Sequence, residues 1–154
     1  MKYKRLDSSE LKALEKEFIH FLASAQITGS DWEKMKLEEL SKAEELLDVF
    51  SDLVYEKVMN KIEFLEYRDN KSLNLFRFTE DKIVLLGIRV KENSRLDLMA
   101  EGVFDQWNNS DSDAVNLVRS EKQYRGEKGV EVFELLQTGC FITDGKLFNL
   151  LQQL

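Results

Sequence analysis

Between residues 61 and 90 the chain reads KIEFLEYR, LNLFRF and KIVLLGIRV, with DNKS and TEDK as the connections. These segments are short and rich in aromatic and β-branched residues, and their spacing is that of hairpins, so they predict three antiparallel strands. Successive side chains of a strand point to opposite faces. Ile62 and Phe64 then oppose Leu65 and Tyr67; Leu73 and Leu75 oppose Phe76 and Phe78; Ile83 and Leu85 oppose Val84, Leu86 and Ile88. A sheet with one wet face alternates apolar with polar residues, and this one does not. Both faces need cover. The N-terminal helices are expected on one face, and C-terminal helices carrying Phe133, Leu136, Leu147 and Leu151 on the other. Apolar area left over would be a partner site, with a second copy in a two-fold dimer as the simplest partner. Gly87 inside the third strand predicts a bulge or a close contact.

Helices frame this sheet. In DSSELKALEKEFIHFLASAQ, Asp7 and Glu10 have capping-box spacing, and Leu11, Leu14, Phe18, Phe21, Leu22 and Ala25 form one stripe. Gly29 fits a helix end, and Ser30 with Glu33 opens a second helical segment. Residues 37–60 predict a long amphipathic helix. Leu40, Ala43, Leu47, Phe50, Val54 and Val58 lie on its inner face, and Glu44, Asp48, Asp52 and Glu56 lie opposite. Further on, RLDLMAEGVFDQW predicts a short helix using Leu96, Met99, Val103 and Trp107, NNSDSD a loop, and AVNLV a fourth strand. Ser120 and Gln123 mark the start of a helix that runs towards Gly139. A last helix after Asp144 groups Leu147, Leu150, Leu151 and Leu154. The expected fold is α+β: N-terminal helices, an antiparallel three- or four-stranded meander, and C-terminal helices packed on the sheet. No linker or repeat divides the chain, so one globular domain over residues 1–154 is expected.

Composition narrows the function. A net charge of −7 disfavours nucleic acid as a partner, because duplex binding draws most of its affinity from cations meeting phosphates. A single cysteine forms no intramolecular disulfide. The first ten residues, MKYKRLDSSE, have no apolar run behind them, so no secretory signal is read. No stretch approaches the roughly 20 apolar residues of a membrane span. The expected location is the cytoplasm, with no membrane partner.

Each candidate for chemistry has a plainer reading. Cys140 falls on the Phe133–Leu136 stripe near a helix end; a reactive thiol needs a cationic or helix-N-terminal setting, so it is read as packing. His20 falls in a row with Lys12 and Lys16 and is read as solvated. The row Glu44, Asp48, Asp52 and Glu56 has the one-turn spacing of a hard-metal site, but it lies opposite the core stripe and is read as a solvated face. In NNSDSD, Asn109, Asp111 and Asp113 alternate as in a calcium loop, yet Ala114 stands where glycine belongs and Ser120 where the bidentate glutamate belongs. Arg119, Lys122, Arg125 and Lys128 form a basic cluster with Tyr124 among them as a stacking platform for an anion or a nucleic-acid strand; Glu121 and Glu127 interrupt it. No catalytic, cofactor or metal-binding set emerges.

The stretches KYKRLDSSELKALEKEFIHFLA, FSDLVYEKVMNKIEFLEYR, EDKIVLLGI and FELLQTGCFITDGKLF resemble an uncharacterised family of short bacterial proteins classed as a domain of unknown function. The resemblance covers most of the chain outside residues 91–116 and implies an intact domain. It carries no activity and no site residues. The leading reading is a non-catalytic cytoplasmic protein-interaction module, joined to an unknown protein partner or to itself as a homodimer. The alternative is a small-ligand or nucleic-acid binder using residues 119–128.

Overall fold

In a computed structural model that describes residues 1–153, the first helix starts where its cap is written. Asp7 accepts the Glu10 N–H at 2.8 Å, and the Glu10 carboxylate accepts the Asp7 N–H at 2.8 Å. The chain forms two compact units, Met1–Val58 and Met59–Leu154. In the first, α1 (Ser8–Ala13) and α2 (Glu15–Ser24) replace the single expected helix, with Leu14 as the break. Gly29 does not end α2. Gln26 takes the left-handed conformation at φ 61°, and the Ile27 N–H closes back on the Leu22 carbonyl, the 6→1 bond of a Schellman stop. Gly29 instead opens α3 (Gly29–Glu38), whose capping box is Thr28 with Asp31 rather than Ser30 with Glu33. Glu39 separates α3 from α4 (Leu40–Lys61). The stripes of the first and long helices meet through their aromatic residues: Phe50 lies 5.0 Å from Phe18 and 5.4 Å from Phe21, and Trp32 of α3 stands edge-on to Phe18.

The acidic face of α4 is not simply solvated. Residues 2–6 run along it. Asp52 accepts the Lys2 and Tyr3 N–H groups at 2.7 and 2.9 Å, Glu56 accepts the Tyr3 hydroxyl at 2.7 Å, and Asp48 accepts Arg5 Nε at 2.6 Å. The Leu6 N–H donates to the buried Ser51 hydroxyl at 3.0 Å. An extended segment with no strand beside it needs partners for its backbone groups, and the carboxylates supply them. Helical periodicity reads only one element at a time, so this pairing was not visible in it.

The second unit holds an antiparallel sheet of five strands, in the order β4-β3-β2-β1-β5: β1 (Phe64–Arg68), β2 (Ser72–Phe78), β3 (Lys82–Val90), β4 (Val115–Gln123) and β5 (Phe141–Ile142). The hairpin turns are local hydrogen-bond devices. Asp69 Oδ1 accepts from Lys71 and Ser72 N–H, and Thr79 Oγ1 accepts from Lys82 N–H. No bulge marks Gly87, since the β2–β3 and β3–β4 registers run through it unbroken. It is a close contact: a Cβ there would meet Arg89 Nη1 at 3.0 Å.

The short helix expected in residues 95–107 is absent. That segment is turns pinned to the β1–β2 connection, where Leu98 N–H donates to the Asn70 carbonyl and Asp97 accepts from Met99 N–H and Asn70 Nδ2. Conversely, NNSDSD contains the short α5 (Asn109–Asp113), capped by Asn108 and Asp111. The predicted start at Ser120 lies inside β4, because pairing with the apolar β3 overrides the local capping signal. The helix, α6 (Lys128–Gln137), begins eight residues later, and α7 (Lys146–Gln152) follows β5. Leu154, expected in the last stripe, lies outside the described residues.

The two C-terminal helices serve opposite faces of the sheet. On one, Leu73, Leu75, Val84, Leu86 and Ile88 cluster with Leu98, Val115 and the α7 residues Phe148 and Leu151. On the other, Leu65, Phe78 and Ile83 are buried, and α6 is tied to that face through Lys122, the register partner of Ile83. Both faces therefore carry buried apolar side chains, as the strand pattern predicted. Among the described residues, no helix is long and apolar enough to cross a membrane.

Candidate interaction edge

Of the two outer strands, β5 has two residues and β4 has nine. β4 exists because its partner, β3, is apolar almost throughout and offers a long ladder; the registers run from Lys82↔Gln123 to Val90↔Val115. In an antiparallel pair, hydrogen-bonded and non-hydrogen-bonded positions alternate. The Lys91 N–H donates to the Ala114 carbonyl at 2.8 Å, which fixes the phase. Asn116, Val118, Ser120 and Lys122 direct their backbone groups at β3. Leu117, Arg119, Glu121 and Gln123 direct theirs outward, and among the described residues no strand pairs with that side. The side chains along it are exposed, with Leu117 at 57%.

The structure places Arg119 and Lys122 on β4, Tyr124 and Arg125 in the turn that leaves it, and Lys128 at the start of α6. Arg119 and Lys122 point to opposite faces of β4, as their register partners Leu86 and Ile83 do. Arg119 is 3.8 Å from Glu121, which also receives Lys82 at 3.0 Å. Lys122 turns towards α6, where Nζ donates to Glu131 Oε1 at 2.8 Å. Arg125 joins the same carboxylate through its N–H at 3.0 Å and its Nε at 3.4 Å, and reaches Glu134 at 3.0 Å. The Tyr124 hydroxyl donates to the Thr79 carbonyl, and Lys128 Nζ donates to the Asn60 carbonyl at 3.3 Å.

Glu131 organises this corner. It is only 4% exposed. Burial pushes its pKa up, but the hydrogen bonds from Lys122 and the Arg125 N–H outweigh that and hold it below the usual value. Burial, with Glu131 and Asp81 nearby, pushes the Tyr124 phenol up to about 12. A cavity of about 370 Å³ lies here, floored by Phe76, Ile83 and Leu135 and rimmed by Lys122, Arg125 and Glu131.

Cys140 is buried, and its setting is a helix stop. Gly139, at φ 103°, donates to the Leu136 carbonyl, and Cys140 N–H donates to the Leu135 carbonyl. Those are the two bonds of a Schellman motif. Burial pushes the thiol up, against a hydrogen bond with Thr138. His20 is exposed. Asp111 is engaged by the Asn108 cap. Among the described residues, no group of three or more His, Cys, Asp or Glu side chains is placed to hold a metal ion.

One feature was missed in the sequence: Glu66 and Arg68 on the inner face of β1. Glu66 is 4% exposed and receives Arg68 Nη2 at 2.8 Å, while the guanidinium lies 4.9 Å over the Phe104 ring. Two adjoining hollows of about 340 and 500 Å³ share Arg68, Lys146 and Leu147. Arg68 is paired with Glu66 and Lys146 with Asp144 at 3.6 Å, and Asp105 adds a further carboxylate to the lining of the smaller hollow. The signal was charge at alternate positions, Glu66 and Arg68, in line with the core-facing Phe64.

No curated protein and no solved structure matches the chain. A family model described as a family of unknown function (DUF6495) matches residues 1–154.

Proposed function

We propose, for a chain that belongs to this family of unknown function, a non-catalytic bacterial interaction module that docks by strand addition at the open edge of β4. The observation that carries the reading is the row of outward backbone groups at Leu117, Arg119, Glu121 and Gln123 on a nine-residue outer strand. Natural proteins blunt long edges with proline, bulges, covering elements or charged side chains, and of these β4 carries the charges Arg119, Glu121 and Lys122. This chain has no proline, and β4 runs without a bulge. A strand added at such an edge gains main-chain hydrogen bonds, and alternate side chains supply selectivity; here those are Leu117, Arg119 and Glu121. A cytoplasmic setting belongs to this reading, consistent with a lone buried cysteine. Use of residues 119–128 as an anion or nucleic-acid site has weaker support, because Lys122 and Arg125 are turned onto Glu131.

The test is affinity capture from native lysate with the full chain and with Arg119→Pro as paired baits. Proline at an outward position removes an edge N–H while sparing the β3 ladder. Species captured by the native chain and lost with Arg119→Pro, at a similar melting temperature, are the expected result. Identical capture by both baits, or none by either, would overturn the reading.

A further inference from the structure

We propose that the strand added to β4 is β4 of a second copy of this chain, antiparallel, about a two-fold axis through Ser120. The proposal rests on the reading of β4 as a docking edge and names its partner. A two-fold axis perpendicular to the sheet keeps each face on its own side, so each residue opposes one of its own parity. Residues 118–122 then offer five centres, of which Val118 sets Arg119 against Leu117 and Glu121 against Val115 and so pairs no opposite charges. A register centred on Arg119, Glu121 or Lys122 sets that residue against its own charge. The register centred on Ser120 sets Arg119 against Glu121 twice and Val118 against Lys122. Opposite charges directly across a strand pair attract, and like charges repel. The charges that ordinarily guard an edge here select one self-complementary pairing.

The backbone phase agrees. Arg119 and Glu121 both direct their N–H and C=O groups outward, so across the axis they exchange two hydrogen bonds, and Leu117 with Gln123 repeats the pattern on either side. The two Ser120 residues form the non-hydrogen-bonded pair at the centre, with Cα atoms about 4.5 Å apart. The two five-stranded sheets become one continuous sheet.

That geometry makes Ser120→Cys the direct probe, because a Cα separation of about 4.5 Å lies within the disulfide range and the native Cys140 is buried. Mild oxidation of the full-length variant at micromolar concentration is expected to give a disulfide-linked dimer that reductant dissolves. Sedimentation velocity supplies the second arm. Arg119→Glu and Glu121→Arg, each alone, are expected to weaken association tenfold or more, and the two together to restore it. Failure of Ser120→Cys to cross-link, or a double variant no tighter than the singles, would overturn self-pairing. If self-pairing fails while the native chain, but not Arg119→Pro, captures a different protein, the docking edge stands and only the identity of its partner falls.

Discussion

Lys122 Nζ lies 2.8 Å from the Glu131 oxygen that also accepts from Arg125 Nε at 3.4 Å. One nearly buried carboxylate thus joins β4, the turn after it and the first helical turns of α6. Lys122 and Arg125 keep more than half of their side-chain surface in water, so removing the carboxylate does not strand them in a dry interior. Glu131→Gln is expected to cost about 1.5–3 kcal/mol, the range for hydrogen bonds to charged groups. Because the folded pKa of Glu131 is lowered, its contribution is present above the unfolded glutamate range and fades as pH falls through the folded value. Denaturant melts of both proteins from pH 7 down to pH 3 check this. The gap between them should narrow towards acid.

The strap of residues 2–6 predicts a cost on α4. Asp52→Ala removes the acceptor of two backbone N–H groups and is expected to cost on the order of 1 kcal/mol, measured by urea unfolding. Asp48 sits below the usual carboxylate range because Arg5 hydrogen-bonds it. Its stabilisation is therefore present above the unfolded aspartate range and is lost as pH falls through its folded value. Asp48→Asn should lower stability at neutral pH and make little difference at low pH.

Particular residues show what the sequence made legible. The faces of β2 and β3 followed from the period of two, because large apolar side chains stand on both parities of each strand. The 3.6-residue period put Phe18 and Phe21 on one helical stripe and Phe50 on another, while their contact across two helices lay beyond any period. The ends of helices were less legible: Asp7 with Glu10 was a true cap, while Ser120 with Gln123 had the same spacing inside a strand. A capping signal is local and weak, and a nine-residue ladder on β3 outweighs it. β5 was invisible because two residues carry no period. The five candidates, four basic residues and Tyr124, were legible as a group, but the engagement of Lys122 and Arg125 with Glu131 depends on α6 folding back over β4, which no spacing encodes.

Cys140, as the residue that closes the Schellman stop of α6, is expected to react with thiol reagents at the rate of unfolding or slower at neutral pH. Burial both shields it and disfavours the thiolate. Cys140→Ser should fold and cost about 1 kcal/mol through the buried hydroxyl. Rapid labelling of the native protein by a maleimide would contradict the packing role.

Tyr124 links the end of β4 to the β2–β3 turn through the Thr79 carbonyl. Its folded pKa, pushed up to about 12, exceeds the ordinary tyrosine value near 10. Between those values the folded state holds a proton that the unfolded state has lost, so this contribution is complete below pH 10 and disappears as pH approaches 12. Tyr124→Phe should cost about 0.5–1.5 kcal/mol at neutral pH and reduce the alkaline loss of stability. Ultraviolet titration should show a phenol that ionises near pH 12 in the native chain and is missing from the variant.

Strand addition at β4 is tested most directly by amide hydrogen exchange, residue by residue, at protein concentrations from low micromolar to millimolar. The amides of Val118, Ser120 and Lys122 bond to β3 and should exchange slowly throughout. Those of Arg119 and Glu121 face outward and should pass from fast exchange to protection as the concentration rises and a second β4 pairs with them. Arg119 and Glu121 amides that exchange freely across the whole range would contradict the pairing.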